Sequence, residues 1–125
     1  MGRLKTIVLT AILSVLAATG QAQPLYQTFA VCTGRLMAAV EYSWLMESEL
    51  SDLRQTQRRQ FESLLEASAP QNKKREVQYL RIEARASHNM ILQRASFAQS
   101  EREQKWASRQ AHAALIQCIG MLPSS

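Results

Sequence analysis

Two cysteines, Cys32 and Cys118, constrain the fold of this 125-residue chain more than any other feature. They are its only cysteines and stand 86 positions apart. In an oxidising compartment, an even pair near the two ends of a small domain predicts one intramolecular disulfide, which stabilises by about 4 kcal/mol in the chain-entropy model. Two free thiols or an intermolecular bridge are the alternatives.

The first 22 residues have the layout of a secretory signal peptide. Arg3 and Lys5 give a cationic start, and residues 7–18 form an uncharged apolar run. That run of about 12 residues is shorter than the roughly 18 needed to cross a bilayer. Gly20 and Ala22 are small residues at the two positions that a signal peptidase reads. We expect cleavage after Ala22 and export, to the periplasm of a Gram-negative cell or otherwise outside the cell; an uncleaved anchor is the alternative.

The charge of the chain changes once this leader is set aside. Losing Arg3 and Lys5 lowers the net charge from +5 to +3. Residues 35–66 are mildly acidic and residues 73–109 are basic, so the two halves are expected to attract each other across an antiparallel interface. A nucleic-acid partner is not expected, since no basic-aromatic motif is present. An envelope protein or an anionic surface remains a candidate partner.

Helix-forming residues dominate residues 23–125, which we interpret as a single all-α domain. Ala, Leu, Gln, Glu, Arg and Met are frequent, and no sustained strand-like alternation occurs. The breaker segment 68–72, which contains Pro70, divides the domain into two arms, residues 25–67 and 71–120. Each arm carries an amphipathic stripe, which predicts helix-on-helix packing.

A plain hairpin of two straight helices does not fit the predicted disulfide. A turn at Pro70 leaves Cys118 roughly 13 Å beyond the point opposite Cys32. The Cα atoms of a disulfide must lie within about 7 Å of each other. A capping-box pattern at residues 100–103 and the polar segment 48–52 offer breaks in the arms. We therefore predict an antiparallel helical hairpin with kinked arms that form a small three- or four-helix bundle.

Polar residues on the two stripes form a candidate charged site. Glu47 and Gln57 lie on the first stripe, and Arg102 and Arg109 lie on the second. Pairing Cys32 with Cys118 brings Glu47 near Arg102, which predicts an interhelical ion pair at the edge of the core. The alternative is an interhelical pocket in which all four residues act on a small anionic substrate, as in an all-helical enzyme.

Two surface clusters are candidate partner-binding sites. Lys73, Lys74 and Arg75 open the second arm, where the helix dipole disfavours cations. An anionic surface would favour them there, and neighbouring glutamates are the alternative source of compensation. Tyr42 and Trp44 lie off the first stripe, so they form a partner-binding patch or pack on a third helix.

No catalytic, metal-binding or cofactor-binding pattern is found in the sequence. His88 and His112 lack the spacing of metal ligands, and no haem or phosphate-loop motif is present. His88 lies on an apolar stripe and is expected to pack in the core. We therefore expect a small exported binding protein of the cell envelope, without a metal or a cofactor. The alternatives are the all-helical enzyme and a subunit that completes its core by oligomerisation.

The leader generates a first prediction. When the full chain is expressed in a Gram-negative host, the periplasmic protein should begin at Gln23, because the residues at 20 and 22 are small. Intact-mass measurement checks the start. Ala22→Leu should block cleavage, whereas Gln21→Leu, between the two recognised positions, should not. Unprocessed protein from the wild-type gene would contradict the assignment.

Overall fold

The computed structural model describes residues 23–123, which form a four-helix bundle without strands. The helices are α1 (Leu25–Leu45), α2 (Ser51–Ser68), α3 (Lys74–Phe97) and α4 (Glu101–Ile119), with a 3-10 turn at Gln71–Lys73. Cys32 and Cys118 form a disulfide, with their Cα atoms 5.5 Å apart. The all-α bundle and its disulfide are therefore confirmed. The predicted leader, residues 1–22, lies outside the described residues.

The helix boundaries follow local chemical signals. Ala69 is extended (φ −75°, ψ 127°) because it precedes Pro70, and α2 ends there. At the start of α4, the Ser100 hydroxyl accepts a hydrogen bond from the backbone N–H of Glu103, at 3.1 Å. This is one half of the predicted capping box. The Glu103 carboxylate accepts from Arg94 instead, at 2.7 and 2.9 Å.

The first arm is divided into two antiparallel helices, α1 and α2, at the segment where the sequence predicts a kink. Leu36 packs with Phe61, and Ala30 packs with Leu65, so α1 and α2 run antiparallel. In the turn between them Glu47 has a φ of 52°, the left-handed conformation that helps a chain turn back on itself. The break in the sequence is thus a hairpin between two helices.

The second arm is also a hairpin. Leu92 of α3 and Ala111 of α4 belong to one buried cluster. Nearer the turn, Arg94 forms an ion pair with Glu103 at 2.7 Å, and its guanidinium lies 5.0 Å from the ring centroid of Trp106. These contacts hold α3 and α4 antiparallel.

Helix α1 is the central element, because it contacts α2, α3 and α4. It runs parallel to α3, and Gly34 is the point of close approach. A Cβ at Gly34 would lie 2.9 Å from the Cβ of Ala84 and 3.0 Å from the nitrogen of Arg85, and nearer still to the carbonyl oxygen of Arg81. Only glycine permits this separation.

The core follows α1 from one end to the other. Beside the disulfide, Leu36 and Phe61 are fully buried. Leu115 of α4 joins this cluster, so the disulfide lies within the packed interior.

The close approach at Gly34 generates a second prediction. Gly34→Ala should lower the free energy of unfolding by about 1–3 kcal/mol, because the new methyl group meets backbone atoms of α3. Urea unfolding followed by circular dichroism measures this. Gly120→Ala is the control: its Cβ would lie 3.2 Å from one carbonyl oxygen at the end of α4, so its effect should stay within about 0.5 kcal/mol. Equal stability of the two variants would contradict the close contact of α1 with α3 at Gly34.

Candidate functional site

The four residues of the predicted charged pocket do not share one environment. Gln57 is buried, and its side-chain oxygen accepts a hydrogen bond from Arg54 at 3.0 Å. Glu47 is exposed in the α1–α2 turn, and Arg102 and Arg109 are exposed on α4. Between residues 23 and 123 no ion pair joins Glu47 to Arg102.

The basic cluster Lys73, Lys74 and Arg75 is exposed at the start of α3. Its charge is partly offset within the protein, since the Lys73 ammonium lies 3.7 Å from the Glu76 carboxylate. That carboxylate also accepts a hydrogen bond from the Tyr26 hydroxyl, at 3.0 Å. The cluster lies at the opposite end of the bundle from Trp44.

Tyr42 and Trp44 have different surroundings. Tyr42 is half-buried against the cluster that contains Leu92 and Ala111, and its hydroxyl is hydrogen-bonded to Ser96. Trp44 is 59% exposed. Tyr42 therefore packs within the bundle, and only Trp44 remains on the surface.

Trp44 is one of five exposed apolar residues that lie close together in the chain, which we name the Trp44 patch. Its members are the exposed apolar residues at the end of α1, in the turn and at the start of α2: Trp44, Leu45, Met46, Leu50 and Leu53. They are 47% to 69% exposed. Glu47, Glu49 and Asp52 are exposed among them, and residues 44–53 contain no Lys or Arg. The patch is thus both apolar and acidic.

A cleft of about 430 Å³ lies between α1, α3 and α4, which we name the α1–α3–α4 cleft. Its apolar wall includes Val31, Leu80 and Ile91. Its polar lining consists of Arg35, Glu83, Ser87, His88 and Gln110. Of the residues singled out from the sequence, only His88 lies here, and it had been assigned to the core.

His88 is 4% exposed, as expected for a core residue, but it lacks a polar partner. Its Nε2 atom has no hydrogen bond to any of the described residues. Burial, and then the charges of Arg35 and Arg54, lower the pKa of His88 from 6.5 to about 4. The imidazole is therefore neutral at pH 7, with an unsatisfied nitrogen.

Arg35 is the charged residue that sequence reasoning missed. Its Nη1 donates to the carbonyl oxygen of Ala114 at 3.1 Å and to Gln117 at 3.4 Å. Burial lowers the pKa of this guanidinium, which nonetheless stays protonated at neutral pH. Within residues 23–123 it has no carboxylate partner. The sequence offered one signal for this residue. Arg35 lies one helical turn after Cys32, and the predicted disulfide places that side of α1 against α4.

The α1–α3–α4 cleft has the chemistry of a binding site. It combines apolar walls with a guanidinium, a carboxylate and a neutral imidazole, a mixture found in small-molecule pockets. The part of the chain that the structure describes contains no group of three His, Cys, Asp or Glu side chains arranged to hold a metal ion.

Comparison with known proteins leaves the site to be interpreted on its own geometry. No family model matches the chain, and no curated protein or solved structure is significantly similar to it. None of the helices between residues 23 and 123 combines the length and the apolar character of a membrane span.

The buried imidazole generates a third prediction. The folded-state pKa of His88 is about 4 and the ordinary value is 6.5, so the unfolded chain binds the proton more readily between these values. The contribution of His88 to stability is intact above pH 6.5. It should fall as the pH is lowered to 4, by about 3 kcal/mol in total.

Urea unfolding of wild type and His88→Leu at pH 7 and at pH 4 tests this. The variant should lose less stability between the two pH values, because leucine cannot take up a proton. His112→Gln, at an exposed position on α4, should retain the wild-type pH dependence. Parallel pH profiles for wild type and His88→Leu would contradict the prediction.

Proposed function

We propose that this protein is an exported binding protein whose Trp44 patch captures a positively charged, amphipathic segment of a partner protein. The observation that carries the proposal is the exposure of five large apolar side chains within residues 44–53, interspersed with three carboxylates. The leader pattern supports export, and the disulfide is compatible with an oxidising compartment.

The apolar content of the patch supports a macromolecular partner. Isolated exposed apolar residues are ordinary on a protein surface, but a group of them within one short segment favours an interaction site. Trp44 is 59% exposed at the end of α1, and tryptophan is enriched among the residues that dominate binding energy. Leu50 and Leu53, each 49% exposed, extend the surface onto α2.

The charge of the patch favours a basic partner. Glu47, Glu49 and Asp52 give residues 44–53 a charge of three negatives, and this segment contains no Lys or Arg. Such a surface attracts a segment that carries Lys or Arg beside apolar residues, and it repels anionic lipid. It also disfavours a symmetric contact between two copies, since a two-fold interface would set these carboxylates against each other.

We do not propose the all-helical enzyme, because its four residues, Glu47, Gln57, Arg102 and Arg109, do not line the α1–α3–α4 cleft. The basic cluster at Lys73, Lys74 and Arg75 remains a predicted site for an anionic surface. It lies at the other end of the bundle, so it does not compete with the Trp44 patch.

A fluorescence experiment tests the proposal. The chain has two tryptophans, so Trp106→Phe leaves Trp44 as the sole reporter. We expect an amphipathic Leu/Lys peptide to shift its emission to shorter wavelength and to saturate. The same peptide with glutamate in place of lysine should bind at least about tenfold more weakly, which corresponds to about 1.4 kcal/mol. Leu50→Ser combined with Leu53→Ser should reduce the affinity for the Leu/Lys peptide by about tenfold or more.

Tyr79→Ser combined with Ile82→Ser is the matched control. These side chains are 64% and 58% exposed on α3, outside the patch, so their replacement should leave peptide affinity unchanged. Equal binding of both peptides, or equal loss in both double variants, would overturn the proposal. A spectral shift that depends on protein concentration alone would overturn it in favour of a second copy of the chain.

A further inference from the structure

We infer that the α1–α3–α4 cleft binds a small monocarboxylate with an apolar body, whose carboxylate is held by Arg35 above the imidazole of His88. This site lies apart from the Trp44 patch and does not depend on the function proposed for that surface.

The shape of the cleft suits a small amphiphilic molecule. Its volume of about 430 Å³ is within the usual range for ligand pockets. Val31 on α1 faces Leu80 and Ile91 on α3, and all three are half-buried, so each has apolar surface left to cover. An aliphatic chain along these walls would remove that surface from water.

Arg35 determines the sign of the ligand. Its Nη1 is committed to α4, through the carbonyl oxygen of Ala114 and the side chain of Gln117. Its other nitrogens have no protein partner within residues 23–123. A guanidinium fixed on one side and free on the other is suited to a planar carboxylate, which it binds through parallel hydrogen bonds.

His88 supplies the second group. Its Nε2 atom is buried and has no hydrogen-bond partner among residues 23–123, a condition that destabilises the protein unless a bound group relieves it. A neutral imidazole carries one N–H, which can be donated to a carboxylate oxygen. His88 lines the cleft together with Arg35, so a carboxylate bound by Arg35 lies beside the imidazole.

The rim of the cleft narrows the choice of ligand. Glu83 lines the cleft from an exposed position, on the same helix as His88 and five residues before it. A second carboxylate on the distal end of a ligand would approach this negative charge. A monocarboxylate is therefore favoured over a dicarboxylate of the same length.

Titration calorimetry with the purified, disulfide-bonded protein tests the inference. The probes are octanoate, its neutral counterpart octanamide, and suberate, which carries a carboxylate at each end. We expect saturable binding of octanoate, with octanamide and suberate each weaker by about tenfold or more. Arg35→Met should remove the preference for octanoate over octanamide, because it retains the apolar stem and deletes the charge. Arg109→Met, at an exposed position on α4, should not change the preference.

A second pair of variants tests the location without touching Arg35. Ser87→Phe should abolish octanoate binding, because Ser87 lines the cleft from an exposed position and the larger ring would fill its mouth. Ser108→Phe, at an exposed position on α4 away from the lining, should leave binding intact. Thermal melting confirms that each variant is folded.

The inference is wrong if octanoate shows no saturable binding, or if octanamide binds equally well. It is also wrong if Ser87→Phe retains octanoate binding. Emission from Trp44 should not respond to octanoate, so failure at the cleft is distinguishable from failure of peptide binding at the Trp44 patch. A Trp44 response that accompanies binding would move the ligand to the patch and overturn the cleft assignment.

Discussion

The close contact of α1 with α3 at Gly34 is the interaction on which the rest of the bundle depends. Two parallel helices in a short chain need a return segment, and α2 provides it along another face of α1. Helix α4 then returns along α3. The separation permitted at Gly34 brings Ala38 of α1 into the cluster with Leu92 and Ala111. A side chain at residue 34 would widen the α1–α3 spacing and strain each of these contacts.

The disulfide and the Ala38 cluster explain why a cleft exists beside this tight contact. Helix α4 is fixed to α1 at Cys32–Cys118 near its end and packs through Ala111 two helical turns earlier. Between these two points Arg35 projects towards Ala114, and its long side chain replaces direct helix-to-helix packing. The cleft therefore forms because a charged residue, Arg35, lies between the disulfide and the apolar contact at Ala111. The disulfide joins α1 and α4 about one helical turn from two residues that line the cleft, Arg35 and Ala114, so it limits the separation of these two walls.

The local signals in the sequence predicted where helices stop, but they could not predict how sharply the chain turns. Pro70 ends α2, and Ser100 caps α4 as its pattern indicated. The full reversal after α1 depends on the packing of Leu36 against Phe61, which is a tertiary contact without a local signature. Tyr42 and Trp44 form one cluster in the prediction from sequence, but side chains two residues apart on a helix point about 200° apart. One of them therefore packs in the bundle and the other is exposed. The cleft could not be predicted from hydrophobic periodicity, because that pattern assigns no role to Arg35, a lone charged residue on the helical turn of α1 that faces α4.

The two candidate surfaces depend on different parts of the fold. The Trp44 patch rests on the turn between α1 and α2, which lies between the two cysteines and is held by packing between these two consecutive helices. The α1–α3–α4 cleft requires α4 to be returned to α1, so it depends on the long-range bond between Cys32 and Cys118. Reduction of that bond would release the loop-closure constraint on α4 while leaving the packing of Phe61 and Leu65 against α1 in place. An oxidising compartment is therefore a stronger requirement for the cleft than for the patch, and this links the predicted export of the chain most directly to the small-molecule site.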